Sequence, residues 1–169
     1  MHKPTVYLDT TIISAYWYDG ADLPALARRF KTREWWNTER QFFELWASAF
    51  TQTELSAGLF PYQADCLRMV RLLRYLPSTS MVRAVFDRIV KVGLIPLTKM
   101  GDATQMAVAT AHEIDYLLTW NYAHLANPIA QERLTTICTE LGLRAPLLVS
   151  PEMIPQVRFG QTIRRRRRK

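Results

Sequence analysis

The chain has 169 residues, 49% of them hydrophobic and 22% charged, which suits one globular domain with a buried core and excludes a disordered chain. Its formal net charge is +7, but residues 164–169 (RRRRRK) supply +6 of that, so the body is close to neutral and bulk charge alone marks no nucleic-acid surface. No apolar run is long enough to span a bilayer, the start lacks the apolar core of a secretory signal, and Cys66 and Cys138 have neither zinc-ligand nor disulfide-framework spacing; the cytoplasm is the default expectation.

"TVYL" (5–8) reads as a short strand that runs straight into Asp9. "DGADLP" (19–24) breaks the chain, and residues 25–46 follow as one or two helices with Leu26, Phe30 and Trp36 at apolar positions. "LWASAF" (45–50) is a second strand. Residues 66–76 (CLRMVRLLRYL) have helical spacing, with Pro77 as the stop. Residues 81–93 form another helix, ending at Gly93 as a C-cap. "LIPL" (94–97) reads as a third strand, with Pro96 placing it at an edge. Residues 102–114 are a helix of small residues, "YLLT" (116–119) a fourth strand, 129–141 a last helix and "PLLVS" (146–150) a fifth strand.

Strands alternating with helices predict an α/β domain around a mostly parallel sheet of four to five strands, covering residues 1–158, with a basic, disordered tail over 159–169. In such sheets ligands bind beyond the carboxyl ends of the strands. Asp9 ends the first strand, Glu54 lies just past the second, Asp102 opens the small-residue helix, and Asn121 follows the fourth strand. These four are 45, 48 and 19 residues apart in sequence, yet this topology brings them to one rim. Each also has a plain structural role: Asp102 can cap its helix, and Glu54 can sit in a first turn favoured by the dipole. Asp9 is harder to explain that way, because an apolar strand entering Asp-Thr-Thr has no need of an acid. Clustered carboxylates repel and raise one another's pKa unless a cation intervenes, and hard cations such as Mg2+ or Mn2+ take oxygen ligands. Asp115, Asp19, Asp22 and Glu152 read as turn or cap residues.

Taken together, "VYLDTTIIS", "SAFTQTELSAG", "GDATQMAVATAHEIDYLLTWNYAHLAN" and "PLLVSPEMI" resemble a PIN domain, specifically the toxin ribonucleases of VapBC-type toxin–antitoxin pairs, over about residues 4–155. The resemblance implies a three-layer α/β/α fold, a Mg2+- or Mn2+-dependent endoribonuclease acting on RNA, a homodimer, and restraint by a small antitoxin. It places Asp9, Glu54 and Asp102 as catalytic and metal-binding acids, with Thr11, Ser48 and Thr119 supporting them. Where many members carry a fourth Asp, this chain has Asn121, whose amide oxygen would reach an ion only through water. That departure keeps a second reading open: a weakly active or inactive PIN-fold protein that binds nucleic acid or acts as a scaffold. Trp17 and Trp120 flank the expected site and are candidates for base stacking, as Arg164, Arg165 and Arg166 are for phosphate contacts. Trp35, Trp36, Phe42 and Phe43 read as core or interface. A phosphatase using Asp9 as nucleophile is disfavoured by Thr11, which stands where a second Asp would be needed.

Overall fold

The computed structural model describes residues 3–154. The expected boundary at 158 and the tail with Arg164, Arg165 and Arg166 lie outside them. Five strands form one sheet: β1 (Thr5–Leu8), β2 (Glu44–Ser48), β3 (Arg74–Leu76), β4 (Tyr116–Leu118) and β5 (Leu147–Val149). Their order is β3-β2-β1-β4-β5, and every pairing is parallel. Seven helices connect them: α1 (Thr10–Trp17), α2 (Leu23–Thr38), α3 (Ala49–Ala57), α4 (Gln63–Arg71), α5 (Ser80–Lys91), α6 (Met100–Ala111) and α7 (Pro128–Leu141). None is long and apolar enough to cross a membrane.

Alternation along the strands builds two faces. Tyr7, Leu117 and Leu148 point to one side, against Val85 and Ile89 of α5, Met106 of α6 and Leu134 of α7. Val6, Leu8, Tyr116 and Leu118 point to the other, against Ile12 of α1 and Trp35 of α2, while Ile13, Leu55, Cys66 and Val70 form a neighbouring cluster with Ala47. The fold is thus three layers, as the resemblance to PIN domains implied. Each fully buried Leu or Ile here is worth about 1.5–3 kcal/mol, and the small residues Ala103, Ala107 and Ala109 let α6 lie close to the sheet. Both cysteines are buried and free; burial pushes the Cys66 thiol up to about 12 and that of Cys138 to about 11, so both stay protonated and packed.

Short-range chemistry fixes the helix ends. Asp22, Thr79 and Asn127 cap α2, α5 and α7 by accepting from the backbone N–H groups of Ala25, Val82 and Ala130. Gly93 and Gly142 adopt φ of 63° and 69°. At Gly93 the N–H of Leu94 reaches back to the carbonyl of Ile89 at 3.1 Å, the left-handed closure that glycine permits.

Three expectations are corrected. Residues 66–76 do not form one helix: α4 stops at Arg71, and Arg74–Leu76 form edge strand β3 beside β2. Pro77 acts one residue upstream of a simple stop, because the residue before a proline is driven to extended backbone. Conversely, 94–97 is not a strand. Leu94 and Ile95 are buried beneath the link from α5 to a single 3-10 turn, Leu97–Lys99. The second strand also ends earlier than expected, at Ser48, whose side chain makes a capping box with Thr51 that starts α3.

Candidate active site

The sheet order reverses between β1 and β4, and the carboxyl ends of these two strands open the crevice where parallel sheets bind ligands. Asp9 follows β1 directly, with its backbone N–H bonded to the carbonyl of Leu118. It occupies the N-cap place of α1, yet its side chain makes no capping bond. Instead the carboxylate faces three hydroxyls. Thr11 donates to Oδ2 at 2.8 Å and Thr119 donates to the same oxygen. These two hydroxyls are themselves oriented by the N–H groups of Trp120 and Asn121. Oδ1 meets only the hydroxyl of Thr10, at 2.9 Å.

The other acids descend on Asp9 from the two neighbouring helices. Glu54 stands exposed on α3, its Oε2 meeting the Thr10 hydroxyl at 2.6 Å and the amide nitrogen of Gln105 at 2.9 Å. Asp102, in the first turn of α6, accepts from the side-chain amide of Asn121 at 2.8 Å. A Cβ added at Gly101 would collide with Oε1 of Glu54, so the missing side chain leaves the room that Glu54 uses. The crevice therefore grades from exposed Glu54 through half-buried Asp102 to Asp9, which is 2% exposed.

Electrostatically the three act on one another. Burial raises the Asp9 carboxyl above the usual range, with the Glu54 charge adding to it and the three threonines opposing. Asp102 is raised by burial and then by Asp9, with Asn121 and His124 opposing. Among the described residues none of these acids has an ion-pair partner. Thr10 sharpens the imbalance: a hydroxyl has one proton, so it can donate to Asp9 or to Glu54 but leaves the other oxygen facing it without a hydrogen.

This donor set suits a hard divalent cation: it is all oxygen and carries excess negative charge, with Oδ1 of Asp9 half-satisfied. The acids are not yet closed around a point, for among the described residues no three Asp, Glu, His or Cys side chains form a group that could hold an ion as they stand. Asp9 and Glu54 share the Thr10 hydroxyl.

The sequence expectations divide accordingly. Asp9, Glu54 and Asp102 are brought to one crevice, and Thr11 and Thr119 contact Asp9. Ser48 touches no acid; it bonds the Tyr7 hydroxyl at 2.7 Å. Asn121 is corrected. Its oxygen accepts from the backbone N–H of His124 at 3.0 Å, which turns the nitrogen toward Asp102, so the amide presents a donor to the crevice rather than an acceptor for a metal-bound water. Trp120 is corrected too. It is 4% exposed and its indole N–H is held by Thr32 at 2.8 Å, so it offers no face to a base. Trp17 is half-buried and bonded to the Met69 sulfur. Thr10, Gln105 and Tyr7 are additional members; Gln105 could have been noticed as a polar residue three places after Asp102, hence on the same helix face.

No family model matches the sequence, and no curated protein matches it. Among solved structures, the chain is similar to Mycobacterium tuberculosis VapC20, described as a sarcin-ricin loop cleaving toxin, at 16% identity and a TM-score of 0.52, covering 70% of this chain and 92% of that one. FitAcB from Neisseria gonorrhoeae aligns at 18% identity and a TM-score of 0.47, covering 68% and 86%. With its five-stranded parallel sheet and flanking helices, the chain shares the PIN-domain fold of VapC20.

Proposed function

We propose that this protein is a divalent-metal-dependent endoribonuclease acting as the toxin of a toxin–antitoxin pair, with a structured RNA as substrate. The observation that carries the reading is the gathering of Asp9, Glu54 and Asp102 at the switch point of the sheet, where among the described residues their hydrogen-bond donors are all neutral hydroxyls and amides. The fold shared with a sarcin-ricin loop cleaving toxin supports RNA as the substrate class.

In this reading Asp9 and Glu54 would hold Mg2+ or Mn2+, with Asp102 joining them. A bound divalent ion supplies a water of lowered pKa and charge stabilisation for the departing oxygen. The chain's own residues prepare for that. Thr11 and Thr119 fix one Asp9 oxygen and leave the other directed at Thr10. Asn121 fixes one Asp102 oxygen. Proton release from Asp9 and Asp102 is held back by burial and mutual repulsion, so the acids are poised to exchange protons for a cation. The proposal extends to a small antitoxin partner and a homodimer, both implied by the sequence resemblance.

The test uses the full chain with a structured RNA. Cleavage is expected with Mg2+ or Mn2+, none with chelator, and none above background for Asp9→Asn. Cleavage that survives chelation, or an Asp9→Asn protein as active as the parent, overturns the reading. A second reading, a PIN-fold binding protein without catalysis, is favoured by one observation: Asn121 brings a donor where an acid would bring charge. Under it, RNA binding survives chelation and collapses when residues 164–169 are deleted.

A further inference from the structure

Behind Glu54 lies a buried polar chain that the proposed chemistry does not by itself require. Tyr7 is on the central strand β1 and fully buried, with its hydroxyl donating to Oε1 of Gln105. That proton is then used, so the Tyr7 oxygen accepts from Ser48 at 2.7 Å, with the Thr51 hydroxyl alongside at 3.0 Å. Thr51 also reaches Oε1 of Gln105 at 3.1 Å. With its oxygen claimed by Tyr7 and Thr51, the Gln105 amide has one orientation, and its nitrogen donates to Glu54 at 2.9 Å. Gln105 is 1% exposed, so a flipped amide would leave buried donors and acceptors unmatched, with no water to replace them. Every donor in the chain runs the same way, from Ser48 through Tyr7 and Gln105 toward Glu54, an arrangement in which each bond strengthens the next.

We infer that Gln105, oriented by Tyr7, is a positioning residue that holds Glu54 toward Asp9 for cation binding. This inference rests on the proposed metal-dependent reading. It explains why a polar side chain is buried in a helix otherwise packed with small and apolar residues. It also explains the division of labour on α6: Asp102 reaches into the crevice from the first turn, and Gln105 steadies from the next an acid belonging to α3. Without Gln105, Glu54 keeps only the shared Thr10 hydroxyl, on an exposed and flexible side chain.

The experiment is Mn2+ titration by calorimetry on the full chain, beside thermal melting. Gln105→Met is expected to weaken Mn2+ binding about 10–100-fold, the usual effect of removing a residue that orients a ligand, and to lower kcat on RNA more than it raises KM. Tyr7→Phe keeps the ring packed and frees the amide to turn; it is expected to weaken binding in the same direction, with Tm close to the parent. If Gln105→Met does not fold, Tyr7→Phe decides. Parent-like Mn2+ affinity in Tyr7→Phe and in any folded Gln105→Met, even with a lowered Tm, overturns the inference and leaves the nuclease reading standing. A parent chain that binds no Mn2+ overturns both.

Discussion

The two ends of the same sheet treat carboxylates in opposite ways. At the amino end, burial would lift the Asp115 carboxyl, but the backbone N–H and hydroxyl of Thr5 and the guanidinium of Arg144 hold it below the usual range. There the acid ties the start of β1 to β4 and to the loop before β5, and its charge is matched. At the carboxyl end, Asp9 and Asp102 are raised, and among the described residues the hydrogen bonds to Asp9, Glu54 and Asp102 come only from amides and hydroxyls. Residue type is the same; what differs is whether the fold supplies a cation. An acid that is matched internally is a fastener, and one left unmatched is a place for something from outside.

The contrast can be tested by mutation and by pH. Asp115→Ala strands the Thr5 N–H and Arg144, and is expected to cost about 2 kcal/mol, or a Tm loss of roughly 4–8 °C for a chain of this size, while leaving cleavage per folded molecule unchanged. Loss of cleavage with full stability would reverse the assignment of the two ends. Asp9→Asn is expected to act in the other direction on stability. Removing a buried, unmatched charge should raise the metal-free Tm at pH 7 by ~2–4 °C, equivalent to about 1 kcal/mol.

The pH dependence carries the same sign. Where a folded-state pKa is raised, the native protein binds more protons than the unfolded chain, so stability falls as pH rises from about 4 through the raised values of Asp9 and Asp102. Asp115 contributes oppositely: its share is present above about pH 4 and is lost as pH falls through its lowered folded value. Melting the metal-free parent and Asp9→Asn across pH 4–8 should show a shallower decline in the variant; equal slopes would mean that Asp9 is not the group responsible. The smallest effect is expected from Asn121→Asp. It adds a like charge beside Asp102, lowering the metal-free Tm by a degree or two, on the order of 0.5 kcal/mol, while Mn2+ restores more stability to it than to the parent.

Much of this contrast was visible before folding. An apolar strand that runs into Asp-Thr-Thr is a local signal, and so is the helix opened by Asp102; both depend on neighbours in sequence. The alternation of elements, the cap at Gly93, and the dismissal of Asp115 as a site residue also rest on short range. What escaped was set by contacts across the sheet. Tyr7 looks like any aromatic strand residue until Gln105, 98 positions later, arrives beside it. The orientation of the Asn121 amide depends on a backbone N–H three residues on. Residues 74–76 carry helical spacing and became a strand because β2 offered an unpaired edge and Pro77 excluded the helical backbone before it. Trp120 was adjacent to the site in sequence yet turned away from it, to Thr32.

Gly101 has a consequence of its own. The tip of Glu54 fills the space beside Gly101 that a side chain would otherwise take. Anything added at that point meets the tip of Glu54, a pliable group, rather than the frame. A side chain at Gly101 would therefore push aside an acid of the site while the scaffold stands still, which makes this glycine part of how Glu54 finds its place.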